Sequence, residues 1–318
     1  MANEIMTNEI PWDPHISPDY LIELSKNSNL YPLINVEEYI INRNFKPKVL
    51  VNASLFNKNA DDFQGGSASL DQDLWRRKYF TGLLNRLNEW EEKCSGHGLD
   101  LYLEPSLYKE VESYIKNKNF LNVFIMEKES NAATGAFWRF LGFNKDYGQE
   151  ISCMIDIDVP QIDYHKNILK YRKPSRLSDG FCSRSEMFAN QEKTSKKYSS
   201  IVASHISFYV SDIDYNIKDL IVGYWEHVIN NIHLEPKTDY NKSYNLRPHG
   251  FGNIWNLYGS DERFLSKTLY HYLTKKGKLN LLVPMDVLKL NSYELFEDIK
   301  FTRKFNNQII YYKEKDLF

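Results

Sequence analysis

The chain is predicted to fold as an α/β layer, a mixed and mostly parallel sheet flanked by helices, on three observations. Short apolar runs alternate with helix-length amphipathic stretches from Lys46 to about Pro160, the order that builds parallel sheets. Val49, Leu50 and Val51 form a continuous apolar run, as a strand covered on both faces would. ISCMIDIDVP (Ile151 to Pro160) reads as a second such strand, and its carboxyl end carries two acids, Asp156 and Asp158.

Residues 1–46 read as an N-terminal helical extension with one or two short helices, ISPDYLIELSKNS and then VEEYIINRN. KPKVLVNASLF (Lys46 to Phe56) is the first clear strand, and the polar NKNADDFQGGSAS (Asn57 to Ser69) is a loop at its carboxyl end. From Leu70 to Cys94 the apolar residues Leu74, Phe80, Leu83, Leu84, Leu87 and Trp90 keep helical spacing, and SGHG ends that helix. LDLYLEP then reads as a strand, SLYKEVESYIKNK as a helix and FLNVFIMEK as a strand. SNAATGAFWRFLGF (Ser130 to Phe143) opens with cap residues and continues as a helix into the strand bearing the paired acids.

The second half is less regular. Residues 161–200, rich in Lys, Arg and Ser, suit a surface excursion or flap. SHISFYV is a strand, IKDLIVGYWEHVINNI a helix, and YNLRPHGFGN (Tyr244 to Asn253) a glycine-bearing loop. Ser260 to Gly277 is an amphipathic helix and LNLLVPMD a last strand. The main domain is accordingly expected over 47–290, with a tail over 291–318. In that tail, Lys300 to Lys315 interleaves bases with aliphatics and rings, which suits a solvated edge strand or peripheral contact with an anionic membrane surface.

Bulk properties exclude several classes. A net charge of −2 provides no global basic field for nucleic acid. Three cysteines, Cys94, Cys153 and Cys182, lie far apart without ligand spacing, which fits reduced thiols in a cytoplasmic compartment. The start, MANEIMTNEIPWDPH, lacks the basic and apolar regions of a secretory signal. Aromatics make up 14% of the chain, enough for rings to line a cleft as well as fill the core.

Side chains alternate along an extended chain, so Asp156 and Asp158 face one side of their strand's end. Carboxylates placed there suit a divalent cation held against a diphosphate. The pair has rivals. Asp71 and Asp73 open a helix, where the dipole favours acids, and Asp212 and Asp214 also follow a strand. Arg139, set among Phe137, Trp138 and Phe140, suits a fork onto donor phosphates, an acid of the metal site, or a plain structural ion pair. Arg76 and Arg77 precede the apolar stripe by helical intervals, which points at least one toward the sheet, where it suits a nucleotide or an acidic partner at the cleft rim. Arg247, His249, Gly250 and Gly252 suit a close approach to a diphosphate, with neutral His249 completing a metal shell; a solvent-exposed turn is the plainer reading. Asp261 and Glu262 begin a helix, which suits capping, or the deprotonation of an acceptor hydroxyl if they face the cleft.

Taken together, VNASLF, RRKYFTGLL, LYLEPSL, GAFWRFLGF, MIDIDV and YGSDERFLSKTLY resemble, in that order, segments of bacterial and large-virus glycosyltransferases of the GT-A type, often found in capsule or surface-glycan gene sets. The resemblance spans roughly residues 47–285 and implies a GT-A-like, Rossmann-like domain. It implies that the first strand and loop hold the nucleotide near Asn52, Ala53 and Leu55. It also implies that Asp156 and Asp158 bind Mn2+ or Mg2+ with the diphosphate of a UDP- or GDP-linked sugar, and that Asp261 and Glu262 lie near the sugar or a glycan or glycolipid acceptor. Two positions depart from the pattern: Ile155 stands where similar proteins usually place Arg, and Val159 replaces a small polar residue. The expectation is a metal-dependent glycosyltransferase. A phosphoryl or nucleotidyl transferase and an inactive glycan-binding relative are the alternatives.

Overall fold

The computed structural model describes residues 16–57, 76–130, 134–157, 180–182, 205–208, 213–231, 261, 264–269, 272, 280–284 and 309–312. Helix α1 (Pro18–Ser25) begins with a proline at its first position, where a missing N–H leaves no bond unmade. Strand β1 (Val36–Ile41) stands where the sequence suggested a second helix, and this corrects the expectation of a purely helical extension. The reason lies in the side chains. Val36, Ile40 and Ile41 are β-branched, and Tyr39 sets its ring edge-on to Phe124 of the neighbouring strand at 5.7 Å. Strand β1 thereby joins the sheet as the neighbour of β4.

Strand β2 (Val49–Leu55) is buried throughout, as its apolar run required. A π-helical turn, Arg76–Phe80, leads into helix α2 (Thr81–Lys93), and strand β3 (His97–Leu103), helix α3 (Tyr108–Ile115) and strand β4 (Leu121–Met126) follow. Helix α4 (Thr134–Trp138) continues as a 3-10 segment, Arg139–Asn144, where one uniform helix was expected. Gly142 lets this segment lie against β2, since a Cβ there would overlap the side chain of Asn52. Strands β5 (Ile151–Ile155), β6 (Gly180–Cys182) and β7 (His205–Phe208), helix α5 (Ile217–Asn231), a π-helical turn at Leu265–Leu269, and strands β8 (Asn280–Pro284) and β9 (Ile309–Tyr312) complete the described elements.

The sheet runs β1-β4-β3-β2-β5-β7-β6-β8-β9. Strands β4, β3, β2 and β5 are mutually parallel, as are β6, β8 and β9, whereas β1 and β7 run antiparallel to their neighbours. From β2 the chain adds β3 and β4 on one side and then returns to place β5 on the other. This reversal of strand order falls between β2 and β5, and the carboxyl ends of strands at such a reversal are the position at which such sheets bind ligands. Strand β9 takes one outer edge, so part of the basic, aromatic tail is an edge strand. No helix among the described residues is long and apolar enough to cross a membrane.

Each face of the central strands carries its own core. Leu83, Leu87 and Trp90 of α2 and Val111 and Ile115 of α3 cover Val49, Val51, Leu99 and Leu101. The opposite face is aromatic: Phe137, Trp138 and Phe140 pack with Tyr224, Trp225 and Phe264, ring centroids lying 5.4 to 6.2 Å apart across the cluster. Many of the rings that stand out in the composition are thus core, each stabilising the fold by roughly 1.5–3 kcal/mol on burial. Helix α1 docks on α5 so closely that a Cβ on Gly223 would overlap the Leu21 carbonyl.

Polar side chains are also buried on the aromatic face. Asp100, in the middle of β3, accepts a hydrogen bond from Arg43 Nη1 at 2.7 Å and faces Lys145 Nζ at 3.4 Å. Burial lowers the Lys145 ammonium to about 8, with the attraction of Asp100 opposing that shift. This cluster fastens the chain before β2 and the turn after residue 144 onto the sheet.

Candidate functional site

The site is built on the end of β5. Alternation sends Ile155 and Ile157 into the α2 and α3 core, and sends Met154 to the aromatic face. Asp156 follows Met154 and meets Arg139, the first residue of the 3-10 segment. Arg139 Nη1 donates to Asp156 Oδ1, while Nη2 donates to Asp261 Oδ2 at 2.6 Å. One buried guanidinium therefore holds two carboxylates that lie far apart in sequence, using the planar fork that suits such a bridge. The Asp156 side chain remains 40% exposed while that of Asp261 is 10% exposed, so Asp156 is the acid open to solvent.

A second arginine steadies the same turn from the other face of the sheet. Arg86 of α2 is buried, and its Nε donates to the Ile157 carbonyl at 3.3 Å, between the two expected metal ligands. Sequence reasoning passed over Arg86, although a signal was present. It shares a helical face with Leu83, Leu87 and Trp90, and a charge on an apolar stripe needs a buried partner.

The end of β2 gives a different picture from the one the sequence suggested. Asn52 is fully buried within the sheet, its Nδ2 donating to the Cys153 carbonyl at 3.3 Å, and Ala53 and Leu55 point into the α2 and α3 core. Phe56 and Asn57 follow these three residues at the carboxyl end of the strand. The backbone N–H of Asn57 donates to Glu104 Oε2 at 2.9 Å, which makes Glu104, just beyond β3, a second residue that sequence reasoning missed.

Arg76 and Arg77 lie in the π-helical turn before α2, with side chains outside the described residues. Asp158, His249, Arg247 and Glu262 also fall outside them, as do Asp71, Asp73 and Asp212. The described member of the rival pair, Asp214, accepts from the Tyr272 hydroxyl at 2.9 Å. Strand β7 runs antiparallel to β5, pairing Phe208 with Ser152, so the last residue of β7 lies beside the amino end of β5. Asp156 stands at the other end. Among the described residues no group of three or more His, Cys, Asp or Glu gathers as a complete metal shell. No protein-family model matches the chain, and no curated protein matches it.

Proposed function

We propose that the protein is a metal-dependent glycosyltransferase of the GT-A type, moving a sugar from a nucleoside diphosphate to a hydroxyl of a glycan or glycolipid. The observation that supports this reading best is the half-exposed Asp156 at the strand-order reversal, braced by Arg139 and through it tied to Asp261. Mn2+ or Mg2+ in such sites needs only one or two carboxylates, with substrate phosphates completing the shell. Asp156 fits that requirement, and Asp158 and His249 are the proposed further ligands.

When bound, the cation would supply positive charge against the leaving diphosphate. The chain's own residues have separate tasks. Arg139 fixes the Asp156 carboxylate in direction and offsets the repulsion between Asp156 and Asp261, while Arg86 holds the turn between the metal ligands. Asp261 or Glu262 accepts the acceptor's hydroxyl proton as its oxygen bonds to the anomeric carbon and the bond to the phosphate oxygen breaks. A second reading, a glycan-binding relative without turnover, draws support from the same bridge, because Arg139 engages both acids within the protein itself.

A thermal-shift panel separates the two. UDP- and GDP-sugars are expected to raise the melting temperature with Mn2+ present, by roughly 2.7 kcal/mol of added stability at a hundredfold excess over Kd. Equal shifts without metal, or no shift with any nucleotide, would overturn the proposal, and a response to free glycan alone would favour the second reading.

A further inference from the structure

Three loops leave the carboxyl ends of β2, β3 and β4, and side chains from two of them meet around one hydroxyl. Ser106 Oγ lies 3.1 Å from Glu104 Oε1 and 2.9 Å from Glu129 Oε2, and the Ser106 backbone N–H donates to Glu129 Oε1 at 3.1 Å. Glu104 is buried, and its other oxygen accepts the N–H of Asn57 at 2.9 Å and that of Ser130 at 3.3 Å. Ser106 has one hydroxyl proton and two carboxyl groups to serve. Two ionised acids would leave one oxygen facing the serine lone pairs, whereas one further proton satisfies every contact: the protonated Glu104 donates to Ser106, which donates to Glu129.

We propose that Glu104, Ser106 and Glu129 form a clasp with one shared proton, which closes the β4 loop onto the β3 loop while Glu104 fixes the root of the β2 loop. Burial, the hydrogen bond to Glu129 and its charge raise the Glu104 carboxyl from the ordinary 4.5 to about 8. Among the described residues, the groups facing Glu104 from the neighbouring loops are the Glu129 carboxyl group, the Ser106 hydroxyl and two backbone N–H groups. The folded carboxyl has a raised pKa, so the stability it contributes is complete below the unfolded value and is lost as pH rises through about 8. Above that pH two like charges face each other. Glu129 is exposed and free to swing outward, whereas Glu104 keeps its backbone donors.

Amide hydrogen exchange between pH 6 and 9.5, corrected for intrinsic rates, tests the clasp. Protection of the Ser106 amide is expected to fall as pH rises, by up to about tenfold per pH unit below the Glu104 transition near 8, and to level off above it, while Asn57, still bonded to Glu104, shows no such step. Glu104→Gln and Glu129→Gln each remove one of the paired charges and should each abolish the Ser106 step. A flat Ser106 profile in the wild type, or the same step in either variant, would overturn the proposal. Should the variants fail to fold, carboxyl carbon shifts of the wild type decide: one proton lost near pH 8 supports the clasp, and two ordinary carboxylate titrations contradict it. None of these readouts needs a nucleotide, so the clasp and the transferase reading fail separately.

Discussion

Replacing Asp100 by alanine is expected to destabilise the fold by about 3–5 kcal/mol, the cost of removing one partner from a buried ion pair. Its carboxylate is fully buried against an Arg43 side chain that is only 2% exposed, with Lys145 as a second cation. The variant leaves both without their anion. Arg43 cannot shed its proton, and Lys145, already held down to about 8 by burial, loses the attraction that opposes that shift. The midpoint of urea unfolding at pH 7 measures the effect. A loss below about 1 kcal/mol would show that water reaches these groups and screens them. Because the aromatic face holds this cluster, the turn between residue 144 and β5 should loosen first, visible as faster amide exchange at Gln149 and Glu150.

If the proposed transferase reading holds, Arg139→Met is expected to lower metal-dependent turnover by roughly 10²- to 10³-fold, the range seen when one fixed charge-stabilising group is lost. The side chain keeps most of its volume among Phe137, Trp138 and Phe140, so the change falls on the bridge. Without the guanidinium, Asp156 loses its directional partner and Asp261 remains nearly buried without the cation that now compensates it. Arg139→Lys should rescue little, because a single ammonium lacks the fork that reaches both carboxylates. Kinetics at saturating Mn2+, with circular dichroism to verify folding, separate these variants. Wild-type kcat/KM in either one would remove Arg139 from any functional role.

Much of the central architecture was legible because strands buried on both faces announce themselves as unbroken apolar runs. The run at Val49 to Val51 marked β2, and the stripe of Leu83, Leu87 and Trp90 marked the face of α2 that meets the sheet. Strand β1 escaped because an edge strand with one solvated face needs no such run, and Glu37 and Glu38 read equally well as a helical face. The site was legible in part. Asp156 stood out as an acid ending an apolar strand, and Glu104 carries the same signature at the end of β3 but lacks a neighbouring acid. The pairing of Arg139 with Asp261 joins residues 122 positions apart, and no local periodicity encodes such a meeting. The burial of Asn52 was not legible for a different reason: the sequence indicated the strand but not how far inside the sheet its polar residue would lie.

Asp156 is proposed to help hold a cation against a sugar nucleotide, and donor turnover by the purified protein, measured with and without Mn2+, decides the matter. Release of nucleoside diphosphate is expected from the wild type only when metal is present, and Asp156→Ala, still folded, is expected to release none above background. Metal-independent release, or an Asp156→Ala variant as active as the wild type, would contradict it.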